Sequence, residues 1–74
     1  MTDTDYLTVE DAREALREIE ANKEDGEVAH SLEDGLMTSF VASVASGKLK
    51  GKKAQEVAIL IQEANAMSFS RWYA

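Results

Sequence analysis

The sequence predicts an all-α fold, a small three-helix bundle followed by a short aromatic C-terminal segment. Apolar residues recur at helical spacing in three separate stretches, and turn signals fall between them at Asp25-Gly26 and around Gly47 and Gly51. The chain has no proline, and no run of alternating apolar and polar residues survives between those signals. At 74 residues it makes one domain, and a domain of this size buries only about 60% of the surface its unfolded chain exposes. Its stability is therefore expected to be marginal, and a partner or a second copy would add to it.

The first helix is expected over residues 9–24. Thr8 with Asp11 three places on has the form of a capping box, Leu7 is placed to staple the first turn, and Val9, Ala12, Ala15, Leu16 and Ile19 fall on one face. On the opposite face Glu10 with Arg13 and Glu14 with Arg17 form pairs worth about 0.2–0.5 kcal/mol each, which is the pattern of a solvated surface. Asp25-Gly26 is read as its end.

Ser31 with Asp34 repeats the capping pattern and predicts a second helix over 32–46, closed by Gly47, although a start as early as Glu27 also fits. From Gly35 to Ser46 this helix carries no charge. Leu32, Leu36, Met37, Phe40, Val41 and Val44 cover about half of its circumference, and the remainder is small and neutral, with Gly35, Thr38, Ser39, Ala42 and Ser46. Such a helix is expected in the middle of the bundle with a neighbour on each side; otherwise its small face is a self-association seam.

The third helix is expected over 52–67, burying Ala54, Val57, Ala58, Leu60, Ile61 and Ala64 and leaving Ile59 in the middle of its polar side. Residues 1–6 have nothing obvious to pack against and are expected to be flexible. Three of the five aromatic residues fall in 68–74, where Phe69 and Trp72 are expected to close the open end of the bundle, with an exposed aromatic and arginine patch as the alternative.

Charge is distributed unevenly. Residues 1–34 hold 12 of the 14 acids against Arg13, Arg17 and Lys23, a balance of −9, whereas residues 35–74 hold two acids against Lys48, Lys50, Lys52, Lys53 and Arg71, a balance of +3. The lysine run superficially resembles a phosphate loop, but its spacing is one residue short, Lys53 stands where Ser or Thr is required, and no strand precedes it. Cations at a helix start oppose the helix dipole, so these four lysines either lean back onto the acidic first helix or hold an external anion. The first is the simpler expectation, and nucleic acid is disfavoured as a partner of so acidic a chain.

Glu27 and His30 have the spacing of bundle-core carboxylate metal sites, but no further inward carboxylates are evident, and His30 is expected to cap or pair with a neighbouring carboxylate instead. Glu33 and Asp34, like Asp3 and Asp5, are read as caps and solvated charges. With one histidine and no cysteine, no nucleophile has a partner, and neither catalysis, a metal nor a cofactor is expected. The acidic start lacks the form of a signal peptide, and no apolar run approaches the roughly 20 residues of a membrane span, so the expected location is the cytoplasm.

At Ala29-His30-Ser31-Leu32-Glu33-Asp34 and again at Ser68-Phe69-Ser70-Arg71-Trp72-Tyr73-Ala74 the chain resembles small helical proteins of bacteriophages, especially those of actinobacteria. In these a His-Ser-x-Glu-Asp helix start and a Phe-x-Arg-Trp ending recur. The resemblance covers about residues 29–74 and implies a phage origin without a mechanism. It also implies that Arg71 and Trp72 meet the helix start, with Arg71 pairing to Glu33 or Asp34.

The function expected from these readings is non-catalytic: an accessory protein that contacts a host or phage protein, or a second copy of itself. The candidate contact residues are Asp11, Glu14, Glu18, Ile59, Arg71, Trp72 and Tyr73, and the candidate anion-binding residues are Lys48, Lys50, Lys52 and Lys53. Two other readings stay open. The acidic helix could mimic nucleic acid toward a DNA- or RNA-binding protein, or the lysine cluster could bind nucleic acid weakly.

Overall fold

The computed structural model describes residues 6–67, which form three α-helices packed on one another: α1 (Val9–Ala21), α2 (Gly26–Ala45) and α3 (Gly51–Ala66). Short turns at 22–25 and 46–50 reverse the chain twice, so α1 and α2 run antiparallel, as do α2 and α3. One end of the bundle thus gathers the close of α1, the start of α2 and the close of α3. The other gathers the start of α1, the close of α2 and the start of α3.

The capping box that opens α1 is present in both directions. The Asp11 amide donates to Thr8 Oγ1 at 3.0 Å, and the Thr8 amide donates to Asp11 Oδ2 at 3.2 Å. The helix ends at Ala21 rather than Glu24, because Asn22 takes the C-cap and its side-chain amide donates back to the Glu18 carbonyl at 2.8 Å.

The start of α2 corrects the sequence reading most. The helix begins at Gly26, six residues before Leu32 and one before the earlier start at Glu27 that the sequence also fits, with Asp25 as its N-cap accepting from the Val28 amide at 3.3 Å. Asp25-Gly26 therefore opens the second helix rather than closing the first, and Ser31 and Asp34 lie inside it as exposed residues. Ala29, His30, Glu33 and Leu36 are all buried, and a helix already formed before Leu32 directs these four side chains to the same side. At its far end Ser46 is the C-cap and Gly47 adopts a positive φ of 79°, the left-handed exit that the glycine predicts. The third helix starts at Gly51 and ends at Ala66, one residue from each predicted limit.

Ala12, Ile19, Ala29, Leu36, Leu49, Val57, Ile61 and Ala64 form the buried core, with Leu7, Leu16, Leu32, Phe40 and Leu60 packed against it. Tyr6 also packs there, so the expectation of a flexible residue 6 does not hold. The least expected member is Leu49, 1% exposed between Lys48 and Lys50. Its amide donates to the Ser43 carbonyl at 3.2 Å, which draws the lysine-rich turn onto the bundle.

The placement of α2 between two neighbours is only half right. Leu36 is buried and Leu32 and Phe40 are partly so, but Met37, Val41 and Val44 are 41%, 57% and 44% exposed. Two neighbours in a three-helix bundle cover an arc narrower than the apolar half of α2, and the excess stays at the surface. The small face is open as well, since a Cβ added at Gly35 would meet nothing within 4 Å.

Candidate functional site

Three surfaces stand out from the rest of the bundle: the outer side of α2, the lysine-rich end and the acidic side of α1. On α2, Met37, Val41 and Val44 follow one another at spacings of four and three residues, which aligns them in one stripe along the helix. Asp34, three residues before Met37, begins the same stripe, and its side chain is 66% exposed. Thr38 and Ala45 border it and are exposed too. The result is an apolar strip without charge from Gly35 to Ser46, with a carboxylate at one end and Lys48 just beyond the other. The sequence located these residues but assigned them to the core.

At the lysine-rich end, Lys48, Lys50, Lys52 and Lys53 are all exposed. Among the described residues Lys50, Lys52 and Lys53 make no ion pair with α1, so the expectation that the cluster leans back onto the acidic helix does not hold for these three. Lys53 does border a surface hollow with Tyr6, Thr8, Val9, Glu10 and Leu49. Lys50 is the N-cap of α3 and supplies no side-chain hydrogen bond, and no acid occupies the first turn.

On α1, Asp11, Glu14 and Glu18 are exposed on one side, but their carboxylates are not a uniform negative strip. Asp11 is held in the capping box, and Glu14 Oε1 lies 2.6 Å from Arg17 Nη2. The hydrogen bond to Glu14, and then its charge, hold the Arg17 guanidinium above its ordinary pKa. Arg13 does not pair with Glu10 as expected; it reaches across to Glu56 of α3 at 3.4 Å. Lys23 pairs with Glu20 at 2.9 Å.

His30 and Glu33 are buried at the other end of the bundle, 9% and 8% exposed, with His30 Nδ1 3.4 Å from Glu33 Oε1. The reading of Glu33 as a solvated cap is therefore corrected, whereas His30 does pair with a neighbouring carboxylate. His30 Nε2 lies 3.6 Å from Asp34 Oδ2, and Glu27 is exposed. Among the described residues no group of three or more His, Cys, Asp or Glu side chains is arranged to hold a metal ion.

Ile59 is 49% exposed on α3, where the sequence put it. Arg71, Trp72 and Tyr73, with Phe69, lie outside the described residues, as does the expected closing segment. Met67, the last described residue, lines an open hollow with Leu16, Arg17, Glu20 and Ala21. Among the described residues no helix is long and apolar enough to cross a membrane. No protein-family model matches the chain, and neither a curated protein nor a solved structure shows significant similarity to it.

Proposed function

We propose that this chain is a non-catalytic accessory protein of phage type that works in the host cytoplasm through protein–protein contact. The observation that supports this reading is the strip Met37, Val41 and Val44, a solvent-facing apolar surface on a helix without charge from Gly35 to Ser46. Isolated exposed apolar residues are ordinary, but a contiguous strip rimmed by polar residues marks contact surfaces. The phage origin rests on the resemblance at 29–34 and 68–74, and the cytoplasm follows from that origin.

Affinity capture from nuclease-treated bacterial host lysate, eluted with a salt gradient, tests this reading. Wild-type protein is expected to retain a partner that Met37→Ser combined with Val41→Ser loses. A partner insensitive to those substitutions but released at moderate salt would transfer the function to Asp11, Glu14 and Glu18 and to mimicry of nucleic acid. A gel shift abolished by neutralising Lys50, Lys52 and Lys53 would transfer it to nucleic-acid binding.

A further inference from the structure

We propose that the acidic segment just before Tyr6 covers the lysine-rich end of the bundle, with Asp3 and Asp5 against Lys50 and Lys53, so that this basic surface is occupied from within the chain. The proposal does not depend on the strip of α2.

Residues 1–5 lie outside the described residues, but the point from which they are tethered is fixed. Tyr6 packs on the core and lines one hollow with Leu49 and Lys53. The residue after it is held as well, because the Leu7 amide donates to Ser43, the same residue whose carbonyl accepts from the Leu49 amide. The entry of α1 and the lysine-rich turn are thus pinned side by side. Asp5 is one residue from Tyr6, its Cα about 3.8 Å away, and Asp3 is at most about 7 Å farther along the chain. Lys50 and Lys53 are the N-cap and the third residue of α3, neighbours on its first turn, and their long flexible stems reach toward that tether.

The described acids leave this end short of negative charge. Glu10 shares the hollow with Lys53, Asp11 accepts from the Thr8 amide in the capping box, and Glu56 pairs with Arg13. Lys50, Lys52 and Lys53 make no ion pair among the described residues. The start of α3 has a second deficit of the same sign, since no side chain caps it and no acid stands in its first turn. Its first amides and the positive end of its dipole therefore lie beside cations. A carboxylate answers both deficits, and the sequence supplies two of them immediately before Tyr6. Exposed ion pairs are weak one by one. Here the short tether makes the contact intramolecular, at an effective concentration on the order of millimolar. An external polyanion must first displace the segment to reach the lysines.

Backbone amide relaxation of the full chain, measured by NMR at low salt, tests the contact. Residues 3–5 are expected to be as ordered as α1 and to become mobile when Lys50→Glu and Lys53→Glu are combined. Adding Asp3→Lys and Asp5→Lys to that chain should restore the order. A short single-stranded oligonucleotide is the probe of how available the lysines are. Asp3→Asn with Asp5→Asn should raise its affinity at least about fivefold above that of a chain carrying Glu24→Gln and Glu63→Gln, two exposed acids of the other end whose loss changes the net charge equally. Circular dichroism on each variant separates a displaced segment from a lost fold.

Residues 3–5 that move freely at low salt in the wild-type chain overturn the proposal. Order that persists after the two lysines are replaced by glutamate overturns it too, because the segment is then held by something else. An oligonucleotide affinity that rises equally in the two neutralised chains has the same meaning, since net charge alone then accounts for the gain.

Discussion

The Leu7 amide donates to the Ser43 side-chain oxygen at 2.7 Å, joining the entry of α1 to the last turns of α2 across 36 residues. Ser43 is 4% exposed, so a hydroxyl has been placed inside an otherwise apolar face to satisfy a backbone donor that no helix serves. Its own carbonyl accepts from the Leu49 amide and from the Ser46 hydroxyl, at 3.2 and 2.9 Å. One residue thereby fixes both the start of α1 and the turn into α3.

Replacing Ser43 with Ala is therefore expected to cost about 1–3 kcal/mol, because it leaves the Leu7 amide without its acceptor in a partly buried place. Ser39→Ala, on the exposed side of the same helix, should change stability by less than about 0.5 kcal/mol. Chemical denaturation of the two variants side by side measures the difference.

The true start of α2 can be tested by caps. Asp25→Ala should cost about 0.5–2 kcal/mol, since the Val28 amide loses the carboxylate that accepts from it. Ser31→Ala should be close to neutral, because Ser31 lies inside the helix and not at its boundary. The reverse order of effects in thermal melts would move the helix start to Leu32.

Leu49→Ala is expected to cost about 2–5 kcal/mol, the usual range for truncating a buried leucine. In a domain of this size that lowers the melting temperature by roughly 10 °C or more. Lys50→Ala beside it should leave the melting temperature nearly unchanged, as its side chain is exposed and makes no ion pair among the described residues.

His30 and Glu33 should behave as a unit. Each replaced by Ala is expected to destabilise the bundle by more than about 1 kcal/mol, since each leaves a buried polar partner behind. The double variant should cost less than the two singles together, with an interaction energy of about 0.5–3 kcal/mol in a double-mutant cycle. Strict additivity would show that the 3.4 Å approach carries no energy.

The fold was legible in the sequence wherever one signal acted alone. Thr8 and Asp11 form the capping pattern that directly precedes the apolar repeat of α1, and Ala12, Ile19, Val57, Ile61 and Ala64 recur at helical spacing without competition. Where two local signals competed, packing decided. Asp25 and Ser31 both offer an N-cap, and burial of Ala29, His30 and Glu33 selects the earlier one. Leu49 is a lone apolar residue in a basic turn, with no periodicity to mark it as core. The contact strip was misplaced for a related reason. A count of apolar residues on a helix face does not say how much of that face two neighbours can cover, and Met37, Val41 and Val44 fall beyond that limit.

Burial of Leu49 also has a bearing on proteolysis. Lys48 and Lys50 are cleavage points for trypsin on either side of a side chain that is 1% exposed. A protease needs several residues extended in its cleft, so cutting here requires Leu49 to leave its site first, and with it the contact of the turn with Ser43. The rate of tryptic cleavage in this turn is thus a built-in gauge of how often the bundle opens.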